Sequence, residues 1–231
     1  MTVSKKSALQ DELIEKILTL QLAPGMALDE AAISEQYNIS RTPLREVFQR
    51  LAGLGYLTLE ENRGAKVSSM DLARMRNFFQ TAPMVYSAIA QLAVENATSL
   101  QIKELKAVQA LFRECGEAGD APTMVMHNHR FHQVIGEMAG DTYLEPSLNR
   151  LLIDHTRMSQ KFYRPINSDE RLRVWEACNQ HDAMILAIEN RDAKKIVELT
   201  REHWALSRDQ IEKFVRPDPL EMELGLKQAI G

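Results

Sequence analysis

The sequence predicts a mainly α-helical chain in two parts: a small N-terminal unit of three short helices and one hairpin, then a larger unit of helices alone. Two observations carry this expectation. Apolar residues recur every three to four positions through most of the chain, the spacing of one helix face. The only pair of strand-like runs lies at 56–59 and 65–68, joined by the turn-rich Glu60-Glu61-Asn62-Arg63-Gly64. No run of about 18 apolar residues occurs, so no membrane span is expected.

Leu9, Leu13, Ile17 and Leu20 share one face of a first helix, which Ala23-Pro24-Gly25 ends. A short second helix follows over 29–37 with Asp29 as its N-cap. The third begins at Ser40 or Thr42, either able to cap, with Pro43 in its first turn. Its apolar stripe is Leu44, Val47, Phe48, Leu51 and Leu54, and Gly55 stops it. Three helices and a hairpin make a winged helix-turn-helix. From Leu72 onward only helical periodicity remains, over about 72–97 (kinked at Pro83), 100–118, 122–138, 143–163, 168–190 and 192–215. The expected organisation is therefore a winged helix-turn-helix over 1–70, a linker at 71–75, an all-helical domain over 76–216 and a tail over 217–231.

Composition narrows the class. Hydrophobic residues make up 45% and charged residues 26%, as in a globular protein with a packed core. Cys115 and Cys178 are too few for a disulfide framework or a thiolate metal site and read as core residues of a reducing cytoplasm. The N-terminus lacks the apolar run and cleavage site of a secretion signal, which also points to the cytoplasm. The net charge of −4 counts against a nucleic-acid partner, yet Arg41, Arg45 and Arg50 fall within ten residues of one another. Local basic residues can bind phosphates in an acidic molecule, because charges more than about 8–10 Å apart are largely screened at physiological salt.

On the third helix Arg41, Arg45 and Gln49 stand at i, i+4 and i+8, opposite the apolar stripe. Such a helix, packed by one side, can enter a major groove, where Arg pairs with guanine and Gln with adenine. Arg63 on the hairpin tip can reach the neighbouring backbone or minor groove. Taken singly, each arginine reads equally as a solvated surface charge. The order of parts goes further. Pro24-Gly25-Met26-Ala27-Leu28-Asp29-Glu30, Ser40-Arg41-Thr42-Pro43-Leu44-Arg45-Glu46 and Arg63-Gly64-Ala65-Lys66-Val67 resemble, in order and spacing, the DNA-binding domain of the GntR family over about residues 8–70. The resemblance implies DNA contacts by Arg41, Thr42 and Arg45, a phosphate contact by Arg50, and wing contacts by Arg63 and Gly64. Phe48-Gln49 and Tyr37-Asn38 depart from the residue pairs common there.

All six histidines lie beyond residue 126. His132 shares a face with Asn128, Phe131 and Ile135; His181 with Val174, Ala177, Ile185 and Ile188; His203 follows Ile196 and Leu199 at i+7 and i+4. Each alone reads as a hydrogen-bonded core histidine. Three imidazoles on the buried faces of three helices would each need a buried partner, whereas one divalent cation satisfies all three. His127, His129 and His155 read as surface or supporting residues.

Asn128-His129-Arg130-Phe131-His132, Gly140-Asp141-Thr142-Tyr143-Leu144, His181-Asp182-Ala183-Met184-Ile185 and His203 resemble the all-helical FCD domain of the FadR-type branch of the same family, over about residues 72–215. That resemblance implies a central cavity with a divalent metal (zinc, nickel or manganese) held by Asn128, His132, His181 and His203. Asn128 stands where an aspartate is usual, which removes one negative charge. Ala82 and Tyr86 stand where relatives carry an Arg and a Glu for an effector carboxylate, so Tyr86, Arg150 and Arg157 become the candidate effector contacts. Arg150 and Arg157 also read as solvated surface arginines.

The expected function is a DNA-binding transcriptional regulator, a repressor by the family's habit. A homodimer would sit on a short palindrome in double-stranded DNA, modulated by a small-molecule effector, with a carboxylate as candidate. One alternative is a metal-stabilised regulator without a metabolite effector. The other is a helical metal-dependent enzyme, for which no His-Glu-x-x-His, Gly-x-Ser-x-Gly or phosphate-cradling glycine loop is present.

Overall fold

The structure, a computed structural model, describes residues 5–61 and 64–215. The N-terminal unit contains α1 (Lys5–Leu18), β1 (Ala27–Leu28), α2 (Glu30–Gln36), α3 (Arg41–Leu54), β2 (Leu57–Glu60) and β3 (Gly64–Val67). The bundle contains α4 (Leu72–Asn96), α5 (Ser99–Ala118), α6 (Ala121–Ala139), α7 (Leu144–Phe162), α8 (Ser168–Glu189) and α9 (Ala193–Val215).

The first unit closes around Leu9, Leu13, Ile17, Leu44, Val47, Phe48 and Leu51, the apolar faces of α1 and α3. Asp29 caps α2, accepting hydrogen bonds from the backbone N–H groups of Ala31 and Ala32. Gly55 ends α3 at φ +98°, a left-handed conformation that favours glycine. Two expected members of the stripes fall elsewhere. Leu20 lies beyond α1 at φ +62°, and Leu18 is buried at the helix end instead. Leu54, in the last turn of α3, is 47% exposed. The hairpin pairs Leu57 with Val67 through Glu60 with Gly64, one residue off the expected second run. The sheet has a third strand, β1, pairing Ala27 with Lys66 and Leu28 with Ala65 on the other side of β3. Two residues are too few to display an alternation, so sequence pattern could not reveal it.

The six bundle helices fall within one residue of the expected spans at each end. Asp71 caps α4 by accepting from the Arg74 N–H, so the expected linker at 71–75 comprises the cap and first turn of a helix. α4 continues as a helix through Pro83, which removes one i→i−4 hydrogen bond. α6 lies between α4, α5 and α7; α9 packs on α4 and α8, and α8 also on α5. The tail over 217–231 and Arg63 lie outside the described residues. Among the described residues no helix is long and apolar enough to cross a membrane.

Candidate functional site

Two regions carry the residues singled out by the sequence. The first is the outer face of α3. Leu44, Val47, Phe48 and Leu51 are buried to 1% exposure or less, which turns Arg41, Thr42, Arg45, Gln49 and Arg50 outward. Arg45, Gln49, Glu30, Glu60 and Gly64 border one open depression between α3 and the hairpin. Arg45 Nε donates to Glu30 Oε2 at 3.2 Å, so the start of α2 orients that guanidinium while its side chain stays 65% exposed. Ser40 makes no side-chain cap bond, so first-turn N–H groups of α3 can serve a phosphate oxygen. Gly64 takes φ +79° at the start of β3.

The second region is buried. His132 on α6, His181 on α8 and His203 on α9 each offer a ring nitrogen within 4.8 Å of the others. Second-layer amides set the rings. Gln109 Nε2 donates to the Cys178 carbonyl at 3.0 Å and to Asp182 Oδ1 at 2.9 Å, which turns its oxygen toward His181 Nδ1 at 3.1 Å. Gln180 Oε1 likewise lies 3.0 Å from His203 Nδ1. An amide oxygen only accepts, so both Nδ1 atoms carry the proton and both Nε2 atoms present bare lone pairs. Those two Nε2 atoms face each other at 3.3 Å. His132 Nε2 is buried without a partner. Phe131 stacks on His181 with centroids 3.9 Å apart and fixes the ring plane.

Burial, the main cause, pushes His203 down to about 4 and holds His132 and His181 well below the usual histidine range. All three are thus neutral imidazoles at neutral pH. Lone pairs set against one another in a dry site repel unless a cation lies between them. Two nitrogens each about 2.05 Å from one tetrahedral metal stand about 3.3 Å apart, so the His181–His203 pair has the separation of two ligands of one ion, with a His132 nitrogen within 4.8 Å of both.

Asn128, one turn before His132, is buried, and its Oδ1 accepts from the Tyr163 hydroxyl at 3.0 Å. Tyr86 is buried beside the cluster, hydrogen-bonded to His155 Nδ1 at 2.8 Å. His155 is itself inside the bundle and pushed down to about 3 by burial, not at the surface. Arg150 and Arg157 lie away from the cluster. Arg150 passes over Gly55, and Arg157 is buried against the carbonyl of Ser68, both at the junction of the two units. A solvated-surface reading fails for Arg157, whose side chain is 0% exposed.

The sequence reading missed Gln109 and Gln180, and left His155 open between surface and support, of which the structure gives the second. Each had a signal, a polar residue on an otherwise apolar stripe: Leu105-Gln109-Phe112, Ala177-Gln180-Met184 and Leu148-Leu152-His155. The chamber lined by Tyr86, Ile89, His132, Ile135, His203 and Trp204 has a volume of about 20 Å³. That is room for about one water or ion.

Comparison with known proteins adds the family context. The FCD domain pattern matches residues 83–206, and the pattern of bacterial regulatory proteins of the gntR family matches residues 5–67. The HTH-type transcriptional repressor RspR of Escherichia coli K12 is 24% identical over 182 residues, 79% of this chain and 78% of that protein. The fatty acid metabolism regulator protein of Proteus mirabilis is 22% identical over 228 residues, 93% of each chain. The solved structure of E. coli McbR/YncC shares the fold, with a TM-score of 0.78 and 19% identity over 93% of this chain and 100% of that one.

Proposed function

Because the chain belongs to the GntR family of bacterial transcriptional regulators and carries the FCD domain, we propose that it is a sequence-specific repressor whose operator affinity is set by a ligand in the bundle. The family's members regulate transcription and are not enzymes. Repression is carried over from the E. coli relative, the transcriptional repressor RspR. A homodimer places two copies of α3 on the half-sites of a short palindrome in double-stranded DNA. Arg41, Thr42, Arg45 and Gln49 read base edges, Arg50 holds phosphate, and Gly64 with Arg63 serves the wing. The exposed polar face of α3 beside the hairpin supports this assignment.

The observation that carries the ligand reading is the set of three neutral imidazoles with an unpartnered His132 Nε2 and two Nε2 lone pairs facing each other. His132, His181 and His203 would hold a divalent ion such as zinc, nickel or manganese. When bound, it supplies a fixed positive charge that ties α6, α8 and α9 together. Asn128, whose Oδ1 accepts from the Tyr163 hydroxyl, is the candidate fourth ligand. A metabolite with a carboxylate would add to that ion, with Tyr86 its candidate contact, and Arg150 and Arg157, the other two candidates, outside the chamber.

A second reading omits the metabolite and makes the metal alone the ligand. The chamber volume of about 20 Å³ favours it, since no metabolite fits without separation of the helices. Titration with zinc alone and with zinc plus a panel of small carboxylates separates the two. A change in operator affinity with zinc alone supports the metal reading, and a further change with a carboxylate supports the metabolite.

Selection of genomic fragments by the purified protein at near-physiological salt tests the regulator itself. Enrichment of one palindrome is the expected outcome, and binding indifferent to sequence would overturn it. On the selected site, Arg45→Ala is expected to cost about 1–3 kcal/mol and to relax preference at one base position, whereas Arg50→Ala weakens all sequences alike. Unchanged selectivity in Arg45→Ala would remove that residue from base reading. Light scattering showing a monomer both free and on the fragment would exclude the dimer.

A further inference from the structure

Helix α7 faces both halves of the molecule within the same two turns. Leu148, Leu152 and His155, at i, i+4 and i+7, face the bundle: the two leucines belong to its core and His155 bonds Tyr86 beside the chamber. Arg150, Asp154 and Arg157, with the same spacing offset by two residues, face the DNA-reading unit, and Gln160 follows. The Arg150 guanidinium lies so close to Gly55, the C-cap of α3, that a Cβ there would overlap it. Gln160 Nε2 donates to the Leu18 carbonyl at the end of α1 at 3.1 Å.

Arg157 is the centre of this contact. Its Nη1 donates to the Ser68 carbonyl at 2.7 Å, and its Nη2 is paired with Asp154 and reaches the Ser69 carbonyl at 3.4 Å. Asp154 is held in turn by Arg74 Nε at 2.8 Å. A guanidinium taken wholly out of water is costly unless its partners are well placed. Here the terminal nitrogens meet Asp154 and the backbone of the two residues through which the chain passes from β3 to α4, while Nε is buried without a partner. A planar fork that grips two successive carbonyls fixes direction as well as distance.

We propose that Arg157 is a positioning residue through which the bundle sets where the DNA-reading unit stands. It acts through Ser68 and Ser69. His155, two residues earlier on the same helix, brings the packing around the histidine cluster to that turn. The link to ligand rests on the metal reading given above; the tie between the two units does not.

Hydrogen exchange of the full-length protein, read by mass spectrometry, tests both parts. Without added metal, Arg157→Met is expected to speed exchange over residues 66–72 about tenfold and to leave residues 84–94 in the bundle core unchanged. Equal rates over 66–72 in variant and wild type overturn the proposal. Should that variant fail to fold, Arg157→Lys keeps the charge beside Asp154 but loses the fork, and carries the same two outcomes. Added Zn²⁺ is then expected to slow exchange at both segments in wild type and only at 84–94 in the variant. Equal slowing at 66–72 in both proteins overturns the relay. No slowing anywhere in wild type overturns the metal reading instead, and the metal-free comparison decides for Arg157.

Discussion

Zinc at a hundredfold excess over its Kd is expected to raise the melting temperature of the wild-type protein by about 5–10 °C, and that of His181→Ala not at all. An ion bound only by the folded chain at that excess contributes about 2.7 kcal/mol. In a chain of this size each kcal/mol moves the midpoint by about 2–4 °C. His181 is the residue to remove because it is tied on every side: Nε2 faces His203, Nδ1 meets Gln109, and the ring lies on Phe131. Without it, Gln109 Oε1 also loses its buried partner, at about 1–3 kcal/mol in the metal-free protein. His127→Ala, outside the cluster, serves as the control and should respond to zinc as wild type does. Equal zinc responses in His181→Ala and wild type would place the ion elsewhere.

Phe131→Ala is expected to lower stability by about 3–5 kcal/mol, read by chemical denaturation. The ring is 0% exposed, belongs to the main core of the bundle, and is flanked edge-on by His132 as well as stacked on His181. Its removal empties the wall that holds two of the three candidate ligands, so zinc affinity should weaken as well, measured by calorimetry. A stability loss below about 1 kcal/mol would mean the neighbouring helices collapse into the space, and unchanged zinc affinity would show that the stack does not hold His181.

Several parts of the protein were legible residue by residue. Leu9, Leu13 and Ile17 gave one face of α1; Asp29 its neighbour's cap; Gly55 the end of α3. Each of these is a local matter of helix period or backbone conformation. The outward face of α3 followed from its buried one. The histidines were legible as members of apolar stripes, because a polar residue buried on a helix face must find a partner.

Where the reading failed, the missing information was non-local. Leu20 and Leu54 continue an apolar period past the point where the helix or its cover ends. β1 exists only because β3 runs beside it. Gln109, Gln180 and His155 acquire their meaning from rings on other helices.

The sequence alone therefore determined the helix spans, the two-part organisation, the outward face of α3 and the three histidines on buried helix faces, since period, capping and turn chemistry act within a few residues. Only the tertiary structure decided that these histidines bring their ring nitrogens within 4.8 Å of one another, and that Arg150, Asp154, Arg157 and Gln160 join the two units rather than meet solvent. Periodicity states which side chains share a face of a helix; what covers that face depends on segments far away in the chain, as Ser68 covers Arg157 from 89 positions off.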